Sequence, residues 1–290
     1  MQERLSYPTA PETKGRKLFL QLLPPSFVAG IACRFIGKGL VPEELSQLKN
    51  MITRMVQGEH ICISKEAPSV LGSQRSKMHC EGEKNIPSSG ATIVIGNHYQ
   101  GGLLHDMGPY FEAACIVHDG RTAVEDESVR EPYALVQRGF NYAVRVGRLR
   151  VHIPLSLFFT GQFYELVIRS IGWEFVLPPK FDNKGQITNR QGLSPSAIRR
   201  LETGGAMIWL PQGQHTNHLE FPEKAGDFLF RMRDKDIQLV PLRVIRKDQD
   251  LLYLLLGKPI HVQDLPEADG TVDINDFVQT CIAPLGRNMT

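Results

Sequence analysis

Several things are missing from this 290-residue chain, and each absence narrows the reading. There is no C-x-x-C pair: the five cysteines, Cys33, Cys62, Cys80, Cys115 and Cys281, are odd in number and widely scattered. With no secretory signal ahead of them, they read as reduced thiols in a cytosolic setting. There is no strong charge imbalance, since 33 Lys and Arg stand against 31 Asp and Glu. A near-neutral chain lacks the global field that draws a protein to nucleic acid, so any basic function is local. Internal repeats and low-complexity tracts are absent too, and 42% hydrophobic with 22% charged residues is the composition of an ordinary globular core.

No uninterrupted hydrophobic span is present either. The most apolar stretch, residues 18–40, is broken by Pro24-Pro25 and carries Arg34, which makes it a poor membrane-crossing helix. From Lys14 to Leu40 it holds five basic residues and no acid. Such a segment suits an interfacial anchor near anionic headgroups, or equally a helix packed on the domain with a solvated basic edge. A second acid-free stretch runs from Pro132 to Tyr164 and contains Arg138, Arg145, Arg148 and Arg150. It suits phosphates, an acidic protein surface or lipid headgroups, or a plain solvated face.

What is present alternates between strand and helix signals. Residues 43–56 place Leu45, Leu48, Ile52 and Met55 on one helical face. Ser64 to Gly90 is rich in Ser, Gly, Pro and charge and reads as connector and loop with one short strand. "ATIVIG" (91–96) has the mark of a buried strand, and "AACIVHDG" (113–120) reads as a second. Residues 132–146 read as helix running into strand, 154–172 as helix, and "WEFVL" as strand. "SPSAIRRLETGG" (194–205) has a Ser N-cap, Pro195 at the first helical position and a Gly-Gly stop. A strand at "AMIWLP", a helix at 221–236, and strands at "IQLVPLRVI" and "LLYLLLGKPI" complete the pattern. Alternation of this kind predicts an α/β fold, with a mixed, largely parallel sheet flanked by helices and an N-terminal helical segment. The expected division is residues 1–60 for that segment and 61–290 for the α/β domain.

Three pieces then stand in one order: "EGEKNIPSSGATIVIGNH", "AIRRLETGGAMIWLPQGQHT" and "KAGDFLFRMRDKDIQLVPL". This order resembles the PlsC-like glycerolipid acyltransferase family over roughly residues 80 to 260. The matching positions are Gly82, Asn85, Ile86, Pro87, Asn97, His98, Pro211, Gly213 and Val240-Pro241. Gly172 and Phe175 also fit a family block. The departures are Leu103, where the family carries an aspartate five residues after the histidine, and Gln212-Gly213-Gln214-His215 in place of E-G-T-R.

The resemblance implies a PlsC-like fold and an acyltransferase, with His98 as general base and a carboxylate behind it. Removing a hydroxyl proton suits a neutral imidazole near pH 7, and a carboxylate fixes its tautomer. Asp106 is the nearest carboxylate, three positions beyond the family's own. On a strict helix that displaces it by about 4.5 Å and about 60°. Gly101-Gly102 allow a bulge before a helix starting near Leu103, which would return Asp106 to the ring. His105 is the alternative partner, and a strand-terminal histidine bonding a loop carbonyl is the structural alternative for His98 itself.

By the same resemblance Asn97, Gly101, Gly102, Pro211, Gln212, Gly213, Gln214 and His215 contact substrate, joined by Arg148 and Arg150. His215 for arginine points to an acceptor without a glycerol phosphate headgroup. The donor is acyl-CoA or acyl carrier protein, the acceptor is lipid-like, and no cofactor or metal is required. The expected site of action is cytoplasmic, peripheral on the inner face of a membrane. Two other readings remain: a catalytically degenerate acyl-chain or membrane binder, and a metal-dependent hydrolase using His98, His105-Asp106, His118-Asp119 and His215-x-x-His218.

Overall fold

The computed structural model describes residues 19–37, 39–97, 103–137, 141–146, 149–154, 159–176, 195–211, 219, 221, 223–248, 251–268 and 270–287. In chain order the elements begin with α1 (Pro25–Ile36), α2 (Pro42–Val56), α3 (Ile63–Val70), α4 (Gly72–Arg75) and β1 (Met78–Glu81). There follow β2 (Ala91–Gly96), α5 (Leu103–Gly120), α6 (Glu127–Arg130), β3 (Tyr133–Gln137), β4 (Asn141–Val146) and β5 (Leu149–Pro154). Next come α7 (Phe159–Ser170), β6 (Glu174–Val176), α8 (Pro195–Glu202), β7 (Ala206–Trp209), α9 (Glu223–Arg231) and β8 (Ile237–Asp248). The last are β9 (Leu251–Leu256), β10 (Ile260–His261), β11 (Glu267–Ala268), β12 (Thr271–Val272) and α10 (Ile274–Phe277). Two compact units result: Met1–Cys62 with Leu135–Ser194, and Ile63–Ala134 with Pro195–Thr290.

The second unit is built on β2, whose six residues are all buried. It lies between β7 and β8, parallel to both, with Ile93 opposite Met207 on one side and Leu239 on the other. Beyond β7 the sheet continues in parallel to Tyr133 and Ala134 of β3. Beyond β8 comes β9, antiparallel, and then β1, parallel to β9. A strand buried on both faces needs helices over it, which is why β2 reads as a continuous apolar run. The fold is α/β with a mostly parallel sheet flanked by helices, as the alternation predicts.

The local chemistry explains most boundaries. Pro195 opens α8, and Gly204 closes it with φ +81°. Gly204 N donates to Leu201 O at 2.9 Å and Gly205 N to Arg200 O at 2.8 Å, the paired bonds of a left-handed helix stop. In α2, Pro42 sits in the first turn and Glu44 accepts the Val41 N–H at 3.0 Å.

Four sequence expectations are corrected. "AACIVHDG" is no strand but the second half of α5; Tyr110, Phe111, Ala113, Ala114, Cys115, Ile116 and Val117 are all buried. A helix buried on every side loses its periodic signature, and a short apolar run alone cannot separate it from a strand. Residues 132–146 contain no helix among those described: β3 and β4 occupy them, with β4 alternating Tyr142, Val144 and Val146 at period two. The supposed loop after Ser64 holds α3 and α4, where buried Ile63, Ala67 and Val70 keep helical spacing despite Pro68. Leu45 is exposed at 36%, while Met51 and Glu44 are buried instead.

In the first unit, α1 packs on α2 and α2 on α7. Leu135–Gln137 of β3 pair in parallel with β6, and β4 and β5 form a separate antiparallel ribbon. Helix α1 buries Val28, Ala29 and Ala32 but leaves Phe27 and Phe35 exposed, along with Leu22 just before it. Among the described residues no helix is long and apolar enough to cross a membrane.

Candidate functional site

In parallel α/β sheets, loops that carry chemistry leave the carboxyl ends of the strands. At that end of the second unit, β2 gives way to Asn97 and β7 to Leu210-Pro211; the two strands are neighbours in register through Ile95 and Trp209. The segments singled out in the sequence, 97–102 and 211–215, therefore depart from adjacent strands at the same end of one sheet.

Asn97 is held firmly. Its Nδ2 donates to Val244 O at 3.0 Å and its Oδ1 accepts from Val244 N at 2.8 Å, a two-point clamp onto β8. With its carboxamide so engaged, Asn97 fixes the direction in which the chain leaves β2, one residue before His98. The neighbouring Arg243 donates to Ala283 O and, at 2.6 Å, to Leu285 O, tying the C-terminal segment to the same strand. Burial, with Arg287 nearby, lowers its pKa.

The approach to β2 is equally determined. Gly82 adopts φ +82°, and a Cβ there would stand 2.1 Å from Leu256 O, so only glycine fits. Asn85 Nδ2 donates to that same Leu256 carbonyl at 2.8 Å, and Ile86 is buried. On β8, Pro241 O accepts from Gly257 N at 2.8 Å. These matched positions of the resemblance are thus framework contacts.

His98, Gly101 and Gly102 lie outside the described residues, as do Gln212, Gly213, Gln214, His215 and Arg148. Helix α5 is described from Leu103 onward and contains the backbones of His105 and Asp106; the Gly101-Gly102 bulge expected before it lies outside the described residues. Arg150 belongs to the β4–β5 ribbon of the first unit.

His118-Asp119 is not in a turn but in the last turn of α5. His118 is buried, with Nδ1 3.2 Å from Asp119 and Nε2 3.2 Å from Glu127; Lys65 stands 2.9 Å from Glu127. At 1.5 Å per residue it lies about 18 Å along the helix from Asp106. One metal ion cannot bind both. Among the described residues no three His, Cys, Asp or Glu come together as metal ligands.

Two features escaped the sequence. Arg121 is fully buried and reaches the carbonyls of Gly90 and Gly204, although "HDGR" signals only a turn. Glu112, buried on α5, takes Arg75 in a two-point pair, Nη2 to Oε1 at 2.8 Å and Nε to Oε2 at 2.6 Å. Nothing local in the sequence marks that pair.

None of the five cysteines is in a disulfide. Burial, reinforced by Glu112, pushes both Cys80 and Cys115 up to about 12. At pH 8 roughly one such thiol in 10⁴ is ionised, too few for a nucleophile. Iodoacetamide treatment of the native protein at pH 8, read by peptide mass mapping, is expected to leave Cys80 and Cys115 unmodified and to label them once the chain is unfolded.

No protein-family model matches the chain, and no curated protein matches it. Among solved structures it is similar to the 1-acyl-sn-glycerophosphate (LPA) acyltransferase PlsC from Thermotoga maritima, at 13% identity with a TM-score of 0.43, over 91% of each chain. A superposition at that level assigns neither family nor activity to this protein.

Proposed function

We propose that the protein is an acyltransferase that moves a fatty acyl group from acyl-CoA or acyl carrier protein to a hydroxyl of a lipid-like acceptor. The observation that supports this reading is the departure of the Asn97-His98 and Pro211-Gly213 segments from neighbouring strand ends, in the order that resembles the glycerolipid acyltransferases. His98 removes the acceptor's hydroxyl proton as its oxygen attacks the thioester carbonyl carbon. As the resemblance implies, the tetrahedral oxyanion is met by backbone N–H groups of the 211–215 segment. It collapses with cleavage of the carbon–sulfur bond, and the departing thiolate takes the proton from the imidazolium, leaving ester and thiol. Asp106 holds the imidazole's tautomer and steadies its charge. Gln212 and Gln214 supply neutral hydrogen bonds to the acceptor, and His215 a weaker anion contact than arginine would.

The protein works at a membrane surface on this reading. Leu22, Phe27 and Phe35 of the N-terminal helical segment are exposed at 66%, 54% and 63%, apolar side chains that a membrane interface would cover.

The departures at Leu103, Gln212 and His215 favour one second reading, a non-catalytic acyl-chain binder of the same fold. Thiol release from palmitoyl-CoA separates the two. Release that depends on added lysolipid or glycolipid is the expected result. Palmitoyl-CoA binding with no release in the presence of any acceptor would instead support the binder.

A further inference from the structure

The carboxyl end of the second unit's sheet carries two half-buried side chains that the acyl-transfer reading leaves unused. Trp209 ends β7 opposite Ile95 of β2, which in turn stands opposite Pro241 of β8. Side chains level with one another across parallel strands share a face, as do those two apart along a strand. Trp209, Pro241 and Arg243 are therefore on one face. Strand β8 carries Arg243 past the last residue of β2, Gly96, which pairs with Leu242. Two strand spacings of about 4.8 Å and two residues of about 3.3 Å separate the Cα atoms of Trp209 and Arg243 by about 12 Å.

Both side chains keep binding capacity beyond their own contacts. Trp209 meets Phe228 of α9 edge to face, with ring centroids 4.9 Å apart and planes at 85°. A T-shaped pair takes at most one face of the indole, and Trp209 is part-exposed where the rest of β7 is buried. Arg243 uses Nη1 alone on the carbonyls of Ala283 and Leu285, so Nε and Nη2 have no partner among the described residues. No described carboxylate pairs with it. Its charged neighbour is a second cation, Arg287, kept close by a turn at Gly286 (φ +78°) in which Arg287 N donates to Pro284 O at 3.2 Å.

Neighbouring guanidinium groups, one of them half-buried, repel unless an anion lies against them. Phosphate oxygens suit that position, because the planar fork presents parallel donors to them. With an aromatic ring on the same face of the sheet, the combination fits a nucleotide: the base stacks on the indole while its phosphates reach the arginines. A lipid headgroup or the phosphopantetheine arm of a carrier protein brings a phosphate but no ring for Trp209.

We infer that this end of the sheet binds the adenosine phosphate moiety of coenzyme A, with Trp209 against the adenine and Arg243 and Arg287 on the phosphates. The inference deepens the acyl-transfer reading by choosing its donor, and it rests on that reading for which nucleotide is bound.

The test is calorimetric titration of the full-length protein with free coenzyme A in about 0.1 M salt, with no thioester present. Wild type is expected to bind coenzyme A and to bind adenosine 3′,5′-bisphosphate in competition with it. Phosphopantetheine and inorganic phosphate at the same concentration are expected not to compete. Arg243→Gln is expected to weaken binding about tenfold or more. Arg287→Gln, which changes an exposed side chain and leaves the Arg243 clamp intact, is expected to weaken it about threefold. Trp209→Ala is expected to cost about tenfold, and Trp209→Phe, which keeps an aromatic face, about threefold at most.

Indole emission gives a reading that needs no loss of binding. The chain has two tryptophans, so Trp173→Phe leaves Trp209 as its one fluorophore of this kind. Its emission is expected to be quenched by coenzyme A and not by pantetheine. Wild type that does not bind coenzyme A would overturn the inference, as would wild-type affinity in both Arg243→Gln and Trp209→Ala. So would phosphopantetheine competing as well as coenzyme A itself, which would leave a phosphate site without a nucleotide. Acyl transfer from carrier protein by a chain that does not bind coenzyme A would sink this inference alone. Coenzyme A bound through Trp209 and Arg243, with no transfer to any acceptor, would sink only the acyl-transfer reading.

Discussion

Replacing His98 with alanine is expected to reduce acceptor-dependent thiol release by about 10³-fold, within the range that a positioned general base contributes. Without the imidazole, the acceptor hydroxyl keeps its proton until its oxygen has begun to carry positive charge, and the barrier rises accordingly. The fold is expected to survive, because the Asn97 clamp on Val244 holds the chain where it leaves β2. Circular dichroism and the thermal transition of the variant should therefore match wild type. Asp106→Asn is expected to cost less, about 10- to 100-fold, since the imidazole remains but loses its orienting carboxylate. If His105 filled that role, His105→Ala would show the larger loss and Asp106→Asn almost none. Full turnover in His98→Ala would remove the general base from the mechanism altogether.

Arg121→Met is expected to lower stability by about 3 kcal/mol, read as a loss in urea midpoint at unchanged slope. Nη1 of Arg121 donates to Gly90 O at 2.9 Å and to Thr92 Oγ1 at 3.3 Å, while Nη2 donates to Gly204 O. One buried guanidinium thus joins the start of β2 to the chain entering β7, and burial lowers its pKa with no carboxylate among its described partners. Desolvating the cation is costly. The charge-assisted bonds offset it, each worth about 1.5–3 kcal/mol. Methionine restores the volume but leaves the carbonyls of Gly90 and Gly204 without that donor. Arg121→Lys is expected to recover less than half of the loss, because a single ammonium lacks the planar fork that spans both strands. A midpoint within error of wild type for Arg121→Met would mean that the carbonyls find other partners and that the clamp adds nothing.

Much of this framework is legible from local sequence, for reasons that also mark where legibility stops. Ala91–Gly96 announces a buried parallel strand because neither of its faces meets water. Helix α8 is framed by Pro195 and a glycine stop, which are backbone signals that tertiary contacts rarely override. The second half of α5 is unreadable by the same physics that makes β2 plain: burial on all sides erases the period that distinguishes helix from strand. In β3 the confusion runs the other way: Tyr133–Gln137 is too short a run for its period to separate strand from helix, so it reads as helix, whereas the strand expected at the end of that stretch is β4.

The contacts that aim the candidate site are a different matter. Asn97 meets Val244 across 147 positions of sequence, and Arg121 meets Gly204 across 83. No window on the chain contains both partners. The Asn97-His98 pairing at the strand end is legible as a motif, whereas the clamp that gives Asn97 its structural role is not. His98 itself and residues 212–215 lie outside the described residues, so their chemistry follows from the motif order and the ends of β2 and β7.

The central claim is that an acyl chain passes from sulfur to an acceptor oxygen at His98. Mass spectrometry of the lipid products after incubation with a deuterated acyl-CoA tests it most directly. The predicted result is an acceptor heavier by the labelled fatty acid less the elements of water, formed by wild type and absent with His98→Ala. Labelled free fatty acid as the sole product, or the same acylated acceptor formed equally by His98→Ala, would contradict it.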